Sequence, residues 1–185
     1  MNKEILLESL RKQGFSDSIV NAFSSIKREE FIPDNLITYA YEDMALPINK
    51  ESTISQPSTI ATLLQLLELE EHHSLLEIGS GSGYVLALIS SIIKKGKIYG
   101  IERQESIAIE SKKRLSSYEN IKIFIKNGAD GLKECAPFDR ILISAALPDK
   151  SIIKNLAEQL KEGGIIVAPI QNTLFKIKKL NGILK

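Results

Sequence analysis

The sequence predicts an α/β fold in which helices cover both faces of a doubly wound, mostly parallel sheet. Two observations support this prediction. From residue 74 onward, short apolar runs alternate with segments in which apolar residues recur at helical spacing, the alternation expected of repeated strand–helix units. A glycine-rich turn follows the first of these runs, where open α/β sheets bind cofactors.

The N-terminal part of the chain predicts a helical extension and a loop that precede this core. Apolar stripes predict helices over about residues 5–10 and 19–26, and a third, short helix over 34–41. Residues 42–57 lack a regular pattern and are expected to be irregular. Helical spacing resumes after Pro57, so a helix is expected to lead into the core.

The core alternates strands with helices, and a hairpin ends the chain. Strands are predicted at 74–78, 97–102, 121–125, 140–144 and 164–170, and helices at 83–94, 104–117 and 149–161, the last ended by Gly163-Gly164. Residues 174–180 alternate like a strand before the turn dipeptide Asn181-Gly182, so an incomplete antiparallel hairpin is expected. The prediction is one domain over 1–185, with an N-terminal cap and active-site loop (1–57), a cofactor-binding core (58–170) and this hairpin (171–185).

The composition indicates a soluble globular protein without a strong electrostatic preference. The 185 residues include 24 basic and 23 acidic ones, a net charge of +1, so nucleic acid is not expected as a partner. One cysteine, Cys135, excludes an internal disulfide and a cysteine-based metal site, and no metal is expected. With no signal peptide and no membrane-length apolar run, we expect a cytoplasmic protein that contacts no membrane, with a monomer as the default.

The segment Leu75-Leu-Glu-Ile-Gly-Ser-Gly-Ser-Gly-Tyr84 carries the clearest chemical information. A buried strand runs directly into three alternate glycines, which allow a ligand to approach the backbone closely. A dinucleotide site would prefer a further glycine where Tyr84 stands. The spacing present, preceded by acidic Glu77, suits S-adenosylmethionine better, because that ligand has no pyrophosphate to seat on a helix N-terminus.

Two further strand ends suit the same ligand. Glu102 ends the second predicted strand, where a carboxylate can accept hydrogen bonds from both ribose hydroxyls. Asn127-Gly128 follows the third strand and is expected to meet the adenine edge. Each feature alone is compatible with an ordinary turn or a solvated acid, but their order and placement together favour a nucleoside site.

Read with their surroundings, these motifs resemble the protein-L-isoaspartate O-methyltransferase family. The resemblance covers about residues 28–170, and the most specific segment is Thr53-Ile-Ser-Gln-Pro57. The other matching segments are Arg28-Glu-Glu-Phe-Ile-Pro33, Ala40-Tyr-Glu-Asp43, Leu46-Pro-Ile48, Leu76-Glu-Ile-Gly-Ser-Gly-Ser-Gly-Tyr84, Ile101-Glu-Arg103, Ala136-Pro-Phe-Asp139, Ser144-Ala-Ala-Leu-Pro148, Leu160-Lys-Glu-Gly-Gly164 and Ala168-Pro-Ile170.

The resemblance implies a Rossmann-like class I methyltransferase that methylates the free carboxylate of L-isoaspartyl residues in damaged proteins or peptides, using S-adenosyl-L-methionine. It implies that Ser55 is the active-site serine. The cofactor-binding residues it implies are Thr53, Glu77, Gly79, Ser80, Gly81, Ser82, Glu102, Arg103, Asn127 and Gly128. The residues it implies beside the isoaspartyl peptide are Leu46, Pro47, Ala145 and Ala146.

Three departures from the family pattern leave two other interpretations open. The family's glycine-rich stretch before Thr53 is replaced by Asn49-Lys-Glu-Ser52, which is expected to restrict the loop and add charge near the peptide entrance. Asn127 stands where aspartate is common, and the C-terminal hairpin is short. The alternatives are an inactive or weakly active cofactor-binding relative, and a methyltransferase with another acceptor.

Overall fold

The computed structural model describes residues 2–50, 52–145, 151–171 and 173–185. Its α-helices are α1 (Lys3–Lys12), α2 (Asp17–Ser25), α3 (Pro57–Leu67), α4 (Tyr84–Ile92), α5 (Glu105–Arg114) and α6 (Ser151–Glu158). Its strands are β1 (Leu46–Pro47), β2 (Thr53–Ile54), β3 (Ser74–Ile78), β4 (Lys97–Glu102), β5 (Ile121–Ile125), β6 (Phe138–Ile143), β7 (Leu160–Ile170), β8 (Thr173–Leu180) and β9 (Ile183–Leu184).

The main sheet has the order β5-β4-β3-β6-β7-β8-β9. The strands from β5 to β7 pair in parallel, and β8 and β9 continue the sheet in antiparallel pairing. The chain winds outward from β3 through β4 to β5 and then returns to β6, so the winding reverses between β3 and β6. Because the carboxyl ends of β3, β4, β5 and β6 meet at one edge, ligands are expected at this reversal.

Successive strand residues face opposite sides of the sheet, and each side has its own core. Leu75 and Ile98 pack with the helices from α1 to α5, whereas the adjacent Leu76 and Tyr99 pack with α6. The fold-class prediction of a doubly wound sheet with helices on both faces is therefore confirmed. The C-terminal antiparallel hairpin is present as β8 and β9.

Helix α3 shows how local chemistry sets the position of the core. Gln56 is extended, with φ −61° and ψ 147°, as a residue before proline prefers. Pro57 then begins the helix, where its missing N–H leaves no hydrogen bond unmade. Ile60, Leu64 and Leu67 are buried on one side, so the helix lies against the sheet directly after the irregular segment.

The boundaries of β3, β4 and β5 agree with the predictions from the sequence. The prediction that the last helix, over 149–161, extends to residue 161 and is ended by Gly163-Gly164 is wrong. In the structure α6 ends at Glu158, and Leu160 already belongs to β7. Leu160 pairs with Phe138 in the sheet and is buried. Pairing with β6 therefore overrides helical spacing there. Residues 149 and 150 of that predicted helix lie outside the described residues.

The N-terminal predictions need smaller corrections. The short helix predicted over 34–41 is a 3₁₀ helix over Asp34–Tyr39. The segment predicted to be irregular contains the two-residue strands β1 and β2, which pair in antiparallel register. The fourth core strand begins at Phe138 rather than at residue 140. Among the described residues, no helix is long and apolar enough to cross a membrane.

Candidate active site

The glycine loop between β3 and α4 is held against β4 by backbone hydrogen bonds. The amides of Gly79 and Ser80 both donate to the carbonyl of Ile101, at 2.8 and 3.1 Å. Gly83, with φ of 86°, begins the turn into α4. A β-carbon there would lie 2.5 Å from the Ser111 hydroxyl and 2.6 Å from a Leu115 methyl group, so both the conformation and the packing against α5 require glycine.

Glu77 places a carboxyl group in the protein interior, beneath this loop. Ser144 Oγ donates to Glu77 Oε1 at 2.5 Å. Burial raises the pKa of the Glu77 carboxyl to about 8, with a further rise from Glu102 and an opposing effect from the Ser144 hydrogen bond. Glu77 Oε2 and Ser80 Oγ are both buried without a hydrogen-bond partner among the described residues. Unpaired buried polar atoms of this kind are typical of a site that a polar ligand completes.

Glu102 lies at the carboxyl end of β4 and is 7% exposed. Its two oxygens accept from the backbone amides of Gly81, at 3.0 Å, and Gln104, at 2.9 Å. The carboxylate is thus oriented from both sides, by the glycine loop and by the start of α5. The adjacent Arg103 is exposed.

The turn after β5 forms the third wall of the site. Asn127 Oδ1 accepts from the Ala129 amide at 3.1 Å, which leaves the second lone pair of this oxygen for another donor. Gly128 packs so closely on the end of β3 that a β-carbon would overlap the Ile78 side chain. The turn therefore lies against Ile78 at the end of β3, the residue that precedes the glycine loop.

Gln159, which sequence reasoning did not single out, supports this turn from behind. Its side-chain oxygen accepts from the Leu132 amide at 2.7 Å, and its nitrogen donates to the Asp130 carbonyl at 2.8 Å. Gly131 has φ of 65°, and a β-carbon there would lie 2.5 Å from the Gln159 amide. The end of α6 and the turn after β5 are thereby joined.

The β1–β2 hairpin faces the glycine loop. Leu46 pairs with Ile54, and Pro47 pairs with Thr53. Leu46 and Ile54 are buried, Pro47 and Thr53 are exposed, and Ser55 after the hairpin is half-buried. A β-carbon on Gly81 would lie 3.7 Å from Ile48 Cδ1, so the end of this hairpin is in van der Waals reach of the glycine loop.

Arg28 holds the hairpin from inside the protein, a role that the sequence pattern did not reveal. Its side chain is fully buried, and its two terminal nitrogens donate to the carbonyls of Ser55, at 2.9 Å, and Met44, at 3.2 Å. The guanidinium carbon lies 5.4 Å from the centre of the Tyr84 ring, within cation–π range. Burial lowers the pKa of Arg28, and Tyr84 and Asp43 oppose that change.

Most of the residues implied by the resemblance lie at this one edge of the sheet. Ala145 is exposed there, and a β-carbon on Gly79 would come within 3.2 Å of Ala145 Cβ. Ser82 is buried in the glycine loop. Ala146 lies outside the described residues. No cluster of His, Cys, Asp or Glu suited to a metal occurs in the described part of the chain. Of the two adjacent histidines before β3, His72 is exposed, whereas the His73 side chain is 12% exposed and accepts from the Glu70 amide.

Comparison with known sequences supports one family. The family model described as protein-L-isoaspartate(D-aspartate) O-methyltransferase matches residues 1–184. A protein-L-isoaspartate O-methyltransferase from Petrotoga mobilis is 44% identical over 179 residues, which span 92% of this chain and 82% of that protein. One from Archaeoglobus fulgidus is 38% identical over 190 residues, spanning 99% of this chain and 87% of the relative.

Solved structures give the same result. A protein-L-isoaspartate O-methyltransferase superposes with a TM-score of 0.89 at 32% identity, covering 99% of this chain and 62% of that chain. A Plasmodium falciparum protein described as a beta-aspartate methyltransferase, in complex with S-adenosyl-L-homocysteine, has a TM-score of 0.85 at 25% identity, covering 100% and 93%. These matches confirm the resemblance, and the chain belongs to the protein-L-isoaspartate(D-aspartate) O-methyltransferase family.

Proposed function

We propose that this protein transfers a methyl group from S-adenosylmethionine to the free carboxylate of L-isoaspartyl residues, the first step in repair of such damage. The observation that carries the proposal is the proximity of two parts of the site. The hairpin that leads into Ser55 lies beside the glycine loop, with Ile48 Cδ1 3.7 Å from the position that a β-carbon on Gly81 would take. A peptide held along this hairpin would therefore be adjacent to a cofactor held by the loop.

The chemistry of the buried polar atoms fits S-adenosylmethionine. We assign the unpaired Glu77 Oε2 and Ser80 Oγ to the methionine portion, whose ammonium group can complement a buried carboxylate. Gly79, Gly81 and Ser82 would line that portion with backbone. Glu102 would accept from the ribose hydroxyls. The adenine would lie beside Asn127 and Gly128, with Thr53 and Arg103 at the exposed edge.

The hairpin and the end of β6 would form the peptide side of the site. Leu46, Pro47 and Ala145 would flank the isoaspartyl residue, and Ala146 is assigned there by the resemblance alone. Ser55 is half-buried next to the hairpin, and Arg28 fixes its backbone. We assign to the Ser55 hydroxyl the role of donating a hydrogen bond that orients the substrate carboxylate.

The reaction needs no proton transfer, which agrees with the residues at the site. When bound, the cofactor supplies a sulfonium methyl group that a carboxylate oxygen can displace, with the carbon–sulfur electron pair passing to sulfur. The substrate carboxylate is already ionised near neutral pH, because such groups titrate near pH 4. The contribution of this chain is to hold the reacting atoms in line and to exclude water.

The direct test is transfer from labelled S-adenosylmethionine to an isoaspartyl peptide and to its normal aspartyl twin. We expect base-labile label on the isoaspartyl peptide alone, because its chain runs through the side-chain carbonyl and leaves the α-carboxylate free, whereas the aspartyl twin offers only its side-chain carboxylate. Label on neither peptide, with cofactor binding shown by calorimetry, would instead support an inactive relative. Label on another acceptor only would support a different methyltransferase.

The role of Ser55 is tested by Ser55→Ala. We expect the rate of transfer to fall about ten- to 100-fold, since a hydrogen bond to a charged group contributes about 1.5–3 kcal/mol, while cofactor affinity is retained. Steady-state kinetics and calorimetry measure the two quantities. Ser117→Ala, on an exposed serine, is the control, and an unchanged rate in Ser55→Ala would show that the serine is structural.

A further inference from the structure

Gln104 connects the cofactor side of the site to the loop of the β1–β2 hairpin. Its backbone amide donates to Glu102 Oε1 at 2.9 Å. Its side-chain oxygen accepts from Asn49 Nδ2 at 3.0 Å, and its side-chain nitrogen donates to Ser52 Oγ at 2.9 Å. One residue therefore contacts the carboxylate assigned to the ribose and both ends of the hairpin loop.

The hairpin loop depends on contacts of this kind. Strands β1 and β2 pair over only two residues each, and an isolated two-stranded hairpin is marginal even when longer. Within the loop, the Ser52 carbonyl accepts from the amides of Ile48, at 2.8 Å, and Asn49, at 3.2 Å. The polar contacts from Gln104 join this closed loop to the main sheet, at the point where β4 passes into α5.

We propose that Gln104 is a positioning residue that couples occupancy of the cofactor site to the order of the peptide-binding hairpin. The inference rests on the proposed function, because it uses the assignment of Glu102 to the ribose. A ribose held by Glu102 restrains that carboxylate, which in turn restrains the Gln104 backbone. The restrained amide side chain then holds Asn49 and Ser52, and with them the segment that leads to Ser55.

The coupling has a thermodynamic consequence for the peptide. If cofactor binding orders the hairpin, an ordered hairpin must strengthen cofactor binding by the same factor. Peptide binding to the cofactor-bound protein then no longer has to order the loop. Removal of the Gln104 side chain should therefore raise the KM for the isoaspartyl peptide more than it lowers kcat.

The test uses limited trypsin digestion of the full chain, with S-adenosylhomocysteine as the probe. Lys50 is exposed in the hairpin loop, and mass spectrometry follows cleavage after it. In the wild type we expect S-adenosylhomocysteine to slow this cleavage about tenfold, because two hydrogen bonds to Gln104 are reinforced. In Gln104→Met, which keeps the backbone amide and the side-chain length, we expect less than about twofold protection.

The controls separate coupling from loss of cofactor affinity or of fold. Because the coupling is reciprocal, calorimetry should give Gln104→Met an S-adenosylhomocysteine affinity about five- to tenfold below that of the wild type, the same factor by which protection is lost. Protection is therefore compared with each protein saturated at a concentration that calorimetry defines. Gln13→Met, on an exposed glutamine, should keep full protection. Ser52→Ala removes the other partner of one hydrogen bond and should reduce protection in the same direction.

Two results would overturn the proposal: equal protection of wild type and Gln104→Met, or no protection of the wild type at saturating S-adenosylhomocysteine. Neither readout involves methyl transfer. If the wild type shows the coupling but does not methylate an isoaspartyl peptide, the proposed acceptor is wrong and the coupling stands. If the wild type methylates the peptide without showing the coupling, only the role of Gln104 is wrong.

Discussion

The two proposed halves of the site, one for the cofactor and one for the peptide, are built in different ways. The cofactor half is made of backbone at strand ends, with Gly79 and Ser80 donating to the Ile101 carbonyl and Glu102 held by two amides. The peptide half is a hairpin whose two strands have two residues each. Side chains from outside the hairpin, chiefly those of Arg28 and Gln104, hold it in place. The first half is a property of the sheet, whereas the second depends on a few polar contacts.

This difference suggests how each half responds to change. Substitutions in the cofactor half should affect the sheet edge itself, and therefore both cofactor affinity and stability. Substitutions that remove hairpin contacts should reduce methyl transfer more than they reduce cofactor affinity. Four substitutions test the distinction, from the largest expected effect to the smallest.

Glu102→Ala should have the largest effect on the cofactor half. It removes an acceptor assigned to both ribose hydroxyls, and charge-assisted hydrogen bonds contribute about 1.5–3 kcal/mol each. We expect the affinity for S-adenosylmethionine to fall about 100-fold or more, measured by titration calorimetry. Glu105→Ala removes an exposed carboxylate three residues away and should leave affinity unchanged. Unchanged affinity in Glu102→Ala would exclude the ribose assignment.

Gly83→Ala tests whether packing, in addition to backbone conformation, requires glycine at position 83. We expect a loss of about 3 kcal/mol in the free energy of unfolding, from a left-handed conformation and a clash with Leu115. Gly163→Ala is matched, since Gly163 also has a positive φ of 76° but nothing lies within 4 Å of its added β-carbon. It should lose only about 1 kcal/mol. Equal losses in urea denaturation would mean that packing contributes nothing at Gly83.

Arg28→Met tests the peptide half. It leaves the carbonyls of Ser55 and Met44 without their donors, but it also removes a buried charge, so we expect a net stability loss of about 2 kcal/mol. The rate of methyl transfer should fall about tenfold because Ser55 is no longer held, with cofactor affinity retained. Arg11→Met is the exposed control. If cofactor affinity fell as far as the rate, the two halves would not be separable.

Glu77→Gln tests the buried carboxyl through pH. Because burial raises the pKa of Glu77 to about 8 from 4.5, the folded cofactor-free protein retains a proton that the unfolded chain loses. The contribution of Glu77 to the free energy of unfolding should therefore be most favourable below about pH 4.5 and should decline as the pH rises to about 8. Glu77→Gln should remove that decline and be about 1–2 kcal/mol more stable at pH 8. Urea denaturation at pH 5 and pH 8 measures this, and an identical pH dependence in both proteins would contradict it.

The sequence predicted the cofactor half better than the peptide half for a physical reason. Strands β3, β4 and β5 and the glycine turn are determined by neighbouring residues, whose periodicity and conformational preferences can be read directly. The contacts that build the hairpin join residues far apart: 27 positions separate Arg28 from Ser55, and 52 separate Ser52 from Gln104. No local pattern marks such partners.

The same reasoning explains the error at β7. Leu160 continues the helical spacing of the preceding residues, and only its pairing with Phe138 places it in a strand. The resemblance to a family indicated that Ser55 and Thr53 belong to the site, but not which side chains hold them. Those side chains can be identified only from the fold, which places the end of β4 beside the hairpin.

The contact between Gly131 and Gln159 restricts any attempt to redesign the nucleoside specificity of this protein. The turn proposed to face adenine is braced by a glutamine that follows α6, and the bracing amide occupies the space that a side chain at position 131 would need. Mutagenesis confined to Asn127 and Gly128 would leave the Gln159 contacts unchanged, so the backbone of the turn after β5 would keep nearly the same conformation. Libraries that vary positions 131 and 159 together would permit conformations of this turn that substitution at either position alone does not permit.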